Sequence, residues 1–100
     1  MIARIWRGVV RAEDAAEYRA YVDETGLREY RETPGNRGAW ILQRVDGERC
    51  EILTLSFWDS FDAIRDFAGD EPELAVYYPE DDRFLLERDD RVSHYELFEG

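Results

Sequence analysis

Apolar and polar positions alternate between two rhythms along the chain, one of a strand and one of a helix. Ile2 to Val10 is short and rich in Ile, Val and Trp, which reads as a strand ending at the acidic pair Glu13-Asp14. From Asp14 to about Glu32 the residues Ala15, Tyr18, Val22, Gly26 and Tyr30 recur at spacings of three and four, which places them on one face of a helix. Gly26 interrupts that face. A glycine in a helix interior costs about 1 kcal/mol against alanine, so the helix either breaks there or brings its backbone close to something. Thr33-Pro34-Gly35-Asn36 is a turn, Gly38 to Val45 is strand-like, Asp46-Gly47 marks a hairpin, and Arg49 to Trp58 is a third strand. Ser60 suits the N-cap of a second helix, Phe61 to Ala68, and Gly69 suits the residue just past its end. Glu71 to Tyr78 reads as a turn of irregular helix, Pro79-Glu80-Asp81-Asp82 as the start of another, and Val92 to Phe98 as the last strand.

The order strand, helix, strand, strand, helix, strand predicts an α+β fold of the ferredoxin-like, split βαβ kind. Its sheet has four antiparallel strands with helices on one face. If the other face were wet, the strands would alternate apolar with polar. Instead Ala39-Trp40-Ile41-Leu42 and Ile52 to Trp58 carry large apolar residues at both parities. Two helices cannot cover both faces in this topology, so the second face is expected to meet the sheet of an identical subunit, giving a homodimer.

One hundred residues are expected to form a single domain, 1–100, with a core that is adequate rather than generous. Hydrophobic residues make up 44% and aromatics 14%, far from the profile of a disordered chain. No apolar run approaches the roughly 20 residues that cross a bilayer, and the N-terminal stretch lacks the pattern of a signal peptide, so a cytoplasmic location is expected. A formal charge of −11 sets the long-range field against nucleic acid and anionic membranes. All 13 basic residues are arginine, which excludes lysine nucleophiles and Schiff bases. Cys50 is the only cysteine, so an intrachain disulfide and a CxxC motif are both excluded.

Three features together carry a resemblance to a known family. They are the opening strand Ile2-Ala3-Arg4-Ile5-Trp6, the turn Pro34-Gly35, and the pattern Leu55, Trp58, Ser60, Ala63, Phe67 at the junction of the third strand and second helix. With them the chain resembles the antibiotic biosynthesis monooxygenase family of the dimeric α+β barrel superfamily. The resemblance implies one of several activities: cofactor-free oxygenation of phenolic or quinol-type substrates, haem degradation, or none yet assigned. The haem-degrading branch is typified by an asparagine on the first strand, a tryptophan on the second helix and an axial histidine about ten residues later. This chain has no asparagine on its first strand, Phe67 at the tryptophan position, and Tyr77 near the histidine position. A tyrosinate or His94 remains a conceivable iron ligand of another kind.

His94 is the only histidine, which rules out sites that need two, the common catalytic zinc sets among them. It is either a packed strand residue or a base and hydrogen-bond donor toward a phenolate; parity places it opposite Tyr95 and Leu97 without saying which face holds a pocket. Tyr77 and Tyr78 precede Pro79 in a connection that can close over a cavity between helices and sheet, where a phenol either orients a substrate or simply covers the core. Trp58, Phe67 and Trp6 are candidates for an aromatic wall as well as for core, Trp40 for core or dimer interface. Arg4, on the same face as Trp6, either pairs with an acid or holds an anionic ligand, and the same choice applies to Arg7. The acidic runs Glu80-Asp81-Asp82 and Asp89-Asp90 fan out in several directions and have capping and turn roles, so no metal is assigned. There is no phosphate-binding glycine loop and no GxSxG elbow. The sequence therefore points to a cofactor-independent monooxygenase for an aromatic substrate, with His94, Tyr78 and Tyr77 in proton and orientation roles and Trp58, Phe67, Trp6 and Arg4 binding substrate. Against it stand a non-catalytic dimer that binds a small ligand or acts as a scaffold and, behind both, a haem-binding protein.

Overall fold

The structure is a computed structural model describing residues 1–100. A ten-residue strand, β1 (Ile2–Arg11), lies inside one antiparallel sheet. On one side β1 pairs along its whole length with β3 (Arg49–Trp58), and β3 pairs with β2 (Asn36–Asp46). Asp46 stands opposite Arg49, so Gly47 and Glu48 form the two-residue hairpin turn that Asp46-Gly47 predicts. The helical layer consists of α1 (Ala15–Val22), α2 (Arg28–Glu32), α3 (Phe61–Ala68) and the single turn α4 (Asp81–Phe84). Ser60 caps α3 by accepting from the Ala63 N–H, and Gly69 follows with φ of 85°, so both helix boundaries lie where the sequence puts them.

The last strand is a correction. In place of a single strand from Val92 to Phe98, two short pieces, β4 (Leu85–Arg88) and β5 (Ser93–Glu96), share the outer edge of β1. β1 is ten residues long, too long for a partner beginning at Val92, which reaches only Ile2 to Ile5; β4 takes Gly8 to Val10. The sheet thus has five strands in the ferredoxin-like order β2-β3-β1, then β4 and β5. The segment from Glu71 to Tyr78 is also not helical. Pro72 has no N–H to give to a helix, and the backbone bonds instead to the turn before β5, with Ala75 N–H donating to Asp90 O and Val92 N–H to Glu73 O.

Register fixes which side chains share a face. Arg4, Trp6 and Val10 of β1 stand opposite Ser56, Thr54 and Cys50 of β3, and all six are buried beneath the helices. Trp6 lies flat along its strand over Gly8, where an added Cβ would collide with the indole and with Leu85. The helix-covered core continues through Tyr18, Val22, Leu27, Tyr30, Ile64 and Phe84. The opposite face carries Ile5, Leu53, Leu55 and Phe57, all half-buried, beside Trp40, 51% exposed, Leu42, 45%, and Tyr95, 58%. No element of the chain covers these residues, and so much large apolar surface in one place is unusual for a solvated face. No helix is long and apolar enough to cross a membrane.

Candidate functional site

Arg4 is the most unusual side chain in the interior. It is 1% exposed, yet no carboxylate lies within ion-pair distance. Its guanidinium is held by neutral groups: Nη1 donates to Pro72 O and to His94 Nε2 (3.1 Å), Nη2 to Leu74 O (3.3 Å), and Nε makes a long contact of 3.5 Å with the Tyr30 hydroxyl. His94 is opposite Arg4 in the β1–β5 register, which puts it on the helix-covered face. Burial, and then the adjacent Arg4 charge, hold the His94 pKa below its ordinary value, while Glu73 opposes them. Because a guanidinium only donates, His94 Nε2 offers its lone pair and the ring carries its proton on Nδ1. On its other side the ring meets the edge of Phe61 at 5.2 Å.

Arg4 forms part of the wall of a cavity between sheet and helices, together with Trp6, Tyr30, Phe67, Tyr77 and Tyr78. Trp6 Nε1 donates to the Tyr77 hydroxyl at 3.1 Å, and that hydroxyl donates onward to Asp89 O at 2.6 Å. The Tyr78 hydroxyl donates to Glu29 at 2.5 Å. Burial raises the pKa of both phenols, with Glu29 adding to the effect on Tyr78 and the bond from Trp6 partly offsetting it on Tyr77. Both therefore keep their protons at neutral pH and act as fixed dipoles rather than bases. The cavity measures about 40 Å³. That is room for about one water molecule, well below the several hundred Å³ usual for a small-molecule site.

Two irregular segments close this space. One is a π-helical turn, Asp23–Leu27, between α1 and α2, placed there as such turns commonly are at functional sites. The extra residue changes the buried face: Leu27 takes the place that simple periodicity gives to Gly26, and Gly26 faces the cavity instead. A Cβ on Gly26 would touch the Tyr78 ring at 3.7 Å. The second segment is the strap from Gly69 to Glu80, which contains no regular helix or strand. Arg4 holds it at Pro72 and Leu74, and Asp81 holds it at Tyr78, accepting from the Tyr78 N–H at 2.7 Å. Asp81 is itself buried, and its other oxygen accepts from the Tyr18 hydroxyl at 2.9 Å.

Of the residues the sequence proposes for a site, Arg4, Trp6, Phe67, Tyr77 and Tyr78 line the cavity. His94 lies behind Arg4 and does not reach the wall. Trp58 is fully buried beneath it, donating from Nε1 to Ser56 Oγ at 2.9 Å and packed edge-on against Tyr30. Arg7 is on the open face, paired with Glu51 at 2.7 Å. The other wall residues have no site role in the sequence reading, three polar ones among them. Tyr30 appears there only as a member of a helix face, Asp81 only as a helix cap, and Thr54 not at all. The usable signal was Tyr18 and Tyr30 on an apolar face, since a buried phenol needs a partner for its hydroxyl.

These elements define a class, a ferredoxin-like α+β fold with a cavity between its sheet and its helical layer. No protein-family model matches the chain, and no curated protein matches its sequence. Solved structures do match, and they bring the fold down to one kind: it is the fold of the antibiotic biosynthesis monooxygenases. A proposed antibiotic biosynthesis monooxygenase from Bacillus cereus aligns with a TM-score of 0.68 at 16% identity, over 99% of this chain and 96% of its own. Another from Nitrosomonas europaea gives 0.64 at 15%, over 99% and 100%. MhuD, a haem-degrader from Mycobacterium tuberculosis, gives 0.68 at 18% as a mutant with two manganese protoporphyrin IX molecules per active site, over 100% and 97%.

Proposed function

We propose that the chain is a small oxygenase that uses neither metal nor flavin and acts on a phenol- or quinol-like substrate in the cavity between sheet and helices. The observation that carries this reading is the wall itself, in which Trp6, Tyr30, Phe67, Tyr77 and Tyr78 share one cavity with a buried cation, Arg4. An electron-rich aromatic anion can react with O₂ through its own ring, so the protein needs only to desolvate it, orient it and manage one proton. Tyr77 and Tyr78, carried on the strap, supply protonated hydroxyls that orient the substrate once it is seated, Phe67 and Trp6 supply apolar surface, and His94 positions Arg4. Trp58 supports the wall from beneath. An aromatic ring does not fit into about 40 Å³, so the strap from Gly69 to Glu80 must swing outward to admit it. The test is oxygen uptake with a panel of phenols and quinols, products identified by mass spectrometry. Tyr77→Phe and Tyr78→Phe should each lower kcat/KM by about tenfold, the worth of one hydrogen bond in a dry site. Absence of uptake across the panel, or unchanged rates in both variants and in His94→Ala, would sink the reading.

The small volume favours a second reading, a non-catalytic dimer that binds a small ligand or serves as a scaffold. Ligand binding without oxygen uptake would establish it. In either case we infer that the open sheet face, with Trp40, Leu42 and Leu53, pairs with a second copy of the chain. Haem fits these residues poorly. No histidine reaches the wall, His94 Nε2 is engaged by Arg4, and the hydroxyls of Tyr77 and Tyr78 already have partners. A haem titration followed in the visible spectrum should show no saturable ligation.

A further inference from the structure

We propose that Arg4 and Tyr30 form an oxyanion receptor, so that the cavity takes its ligand as an aromatic oxyanion rather than as the neutral phenol. This deepens the reading of the same cavity and shares with it only the premise that a small aromatic molecule enters. A guanidinium has five N–H donors. Three of them are used well, on Pro72 O, His94 Nε2 and Leu74 O. Of the other two, the Nε–H makes only the 3.5 Å contact with Tyr30 and the second Nη2–H has no protein acceptor. The Tyr30 hydroxyl accepts that weak contact, and its own proton has no acceptor in the protein. Arg4 and Tyr30 both line the cavity. Two donors and a full positive charge therefore meet at the wall of the cavity.

The charges around Arg4 sharpen the assignment. Asp81, the carboxylate on the cavity wall, is committed to the Tyr18 hydroxyl and the Tyr78 N–H and forms no ion pair with Arg4. Glu73 is exposed and lies 3.8 Å from Arg91. His94 gives a lone pair but no charge. A buried cation without an anionic partner is costly, and an incoming oxyanion supplies that partner. An oxyanion also gains charge-assisted hydrogen bonds that a neutral phenol does not. The same guanidinium latches the strap through Pro72 and Leu74, so an anion that draws Arg4 toward the cavity loosens the segment that blocks its way.

The probes are para-nitrophenol, whose visible band differs between phenol and phenolate, and para-nitrotoluene, its neutral counterpart. Both are titrated into the unmodified protein at a pH where free nitrophenol is mostly protonated. We expect the bound probe to show the phenolate band, with its proton released to buffer, and nitrotoluene to bind about tenfold more weakly or less. Arg4→Met should remove this preference, Arg4→Lys should retain part of it, and Tyr30→Phe should reduce it. Equal affinity for the two probes, a bound neutral phenol, binding of neither, or full preference in Arg4→Met would overturn the proposal. The comparison of probes on the unmodified protein needs no variant and so stands even if Arg4→Met fails to fold. A phenolate band without oxygen uptake leaves the receptor standing while removing the oxygenase, and oxygen uptake without the band does the reverse.

Discussion

Arg4 and His94 face each other across β1 and β5, and their contact ties a pH dependence to one proton. In the folded chain burial and the Arg4 charge lower the His94 pKa, whereas in the unfolded chain it returns to about 6.5. Between these two values the unfolded chain binds more protons than the folded one. Stability is therefore fully present above about pH 6.5 and is lost as pH falls through the folded-state pKa. Glu51, hydrogen-bonded by Arg7, and Asp59, hydrogen-bonded by Arg37, also have lowered pKa values. Their losses come at more acid pH, below about 4.5. Urea midpoints should thus fall between about pH 7.5 and 5.5 in the unmodified chain and stay level in His94→Gln; a slope that persists in the variant would assign it to other groups. A second interior contact is testable without titration. Ser56 and Trp58 are both fully buried, and Ser56 Oγ accepts the indole N–H at 2.9 Å. Ser56→Ala should destabilise by about 1–3 kcal/mol because it leaves that donor without a partner, and Trp58→Phe in the same chain should recover part of the loss relative to additivity.

At the scale of elements, the π-helical turn sets stability against access. Gly26 is in helical backbone with φ outside the left-handed region, and the space beside it leads to Tyr78. Gly26→Ala should raise stability by about 0.4–1 kcal/mol through the unfolded state, because the new methyl makes an ordinary contact. That methyl also intrudes on the cavity, so affinity for the aromatic probes should fall; a variant that loses stability, or gains it with binding unchanged, would refute this account. The turn also shows how far sequence alone reaches. Ala15, Tyr18, Val22 and Tyr30 are buried on the helix face that periodicity predicts, but one inserted residue at 23–27 buries Leu27 and turns Gly26 toward the cavity. The glycine was visible in the sequence as an anomaly, whereas the direction it faces depends on hydrogen-bond register that no apolar pattern encodes. β4 escaped for a related reason: Leu85–Arg88 is too short to show a period, and only the length of β1 demands a partner there. Asp81 and Tyr30 enter the wall because α4 and α2 happen to meet over the sheet, a long-range packing outcome. Arg4, Trp6, Phe67, Tyr77 and Tyr78 were legible because a charged residue on an apolar strand and aromatics beside a proline stand out locally.

For the whole molecule, two opposing terms decide assembly. Trp40, Leu42, Leu53, Leu55, Phe57 and Tyr95 give one face of the sheet an apolar surface, and burying each large side chain fully contributes about 1.5–3 kcal/mol. Against this, each copy carries a formal charge of −11, so association brings like charges together. Arg7 and Arg44 on that face both pair with Glu51, at 2.7 and 3.0 Å, so each already has a partner within the chain. If the open face is a sheet-to-sheet interface, salt should strengthen the dimer, since screening reduces the repulsion over a Debye length of about 10 Å at 0.1 M and leaves apolar burial intact. Light scattering should give twice 11.8 kDa, with the dissociation constant decreasing from low to moderate salt. Leu53→Arg places an unpaired charge at the middle of this face and should yield a folded monomer by the same measurement. A dimer that dissociates on adding salt would mean that ion pairs, rather than the sheet face, hold the copies together, and a Leu53→Arg dimer would move the interface elsewhere.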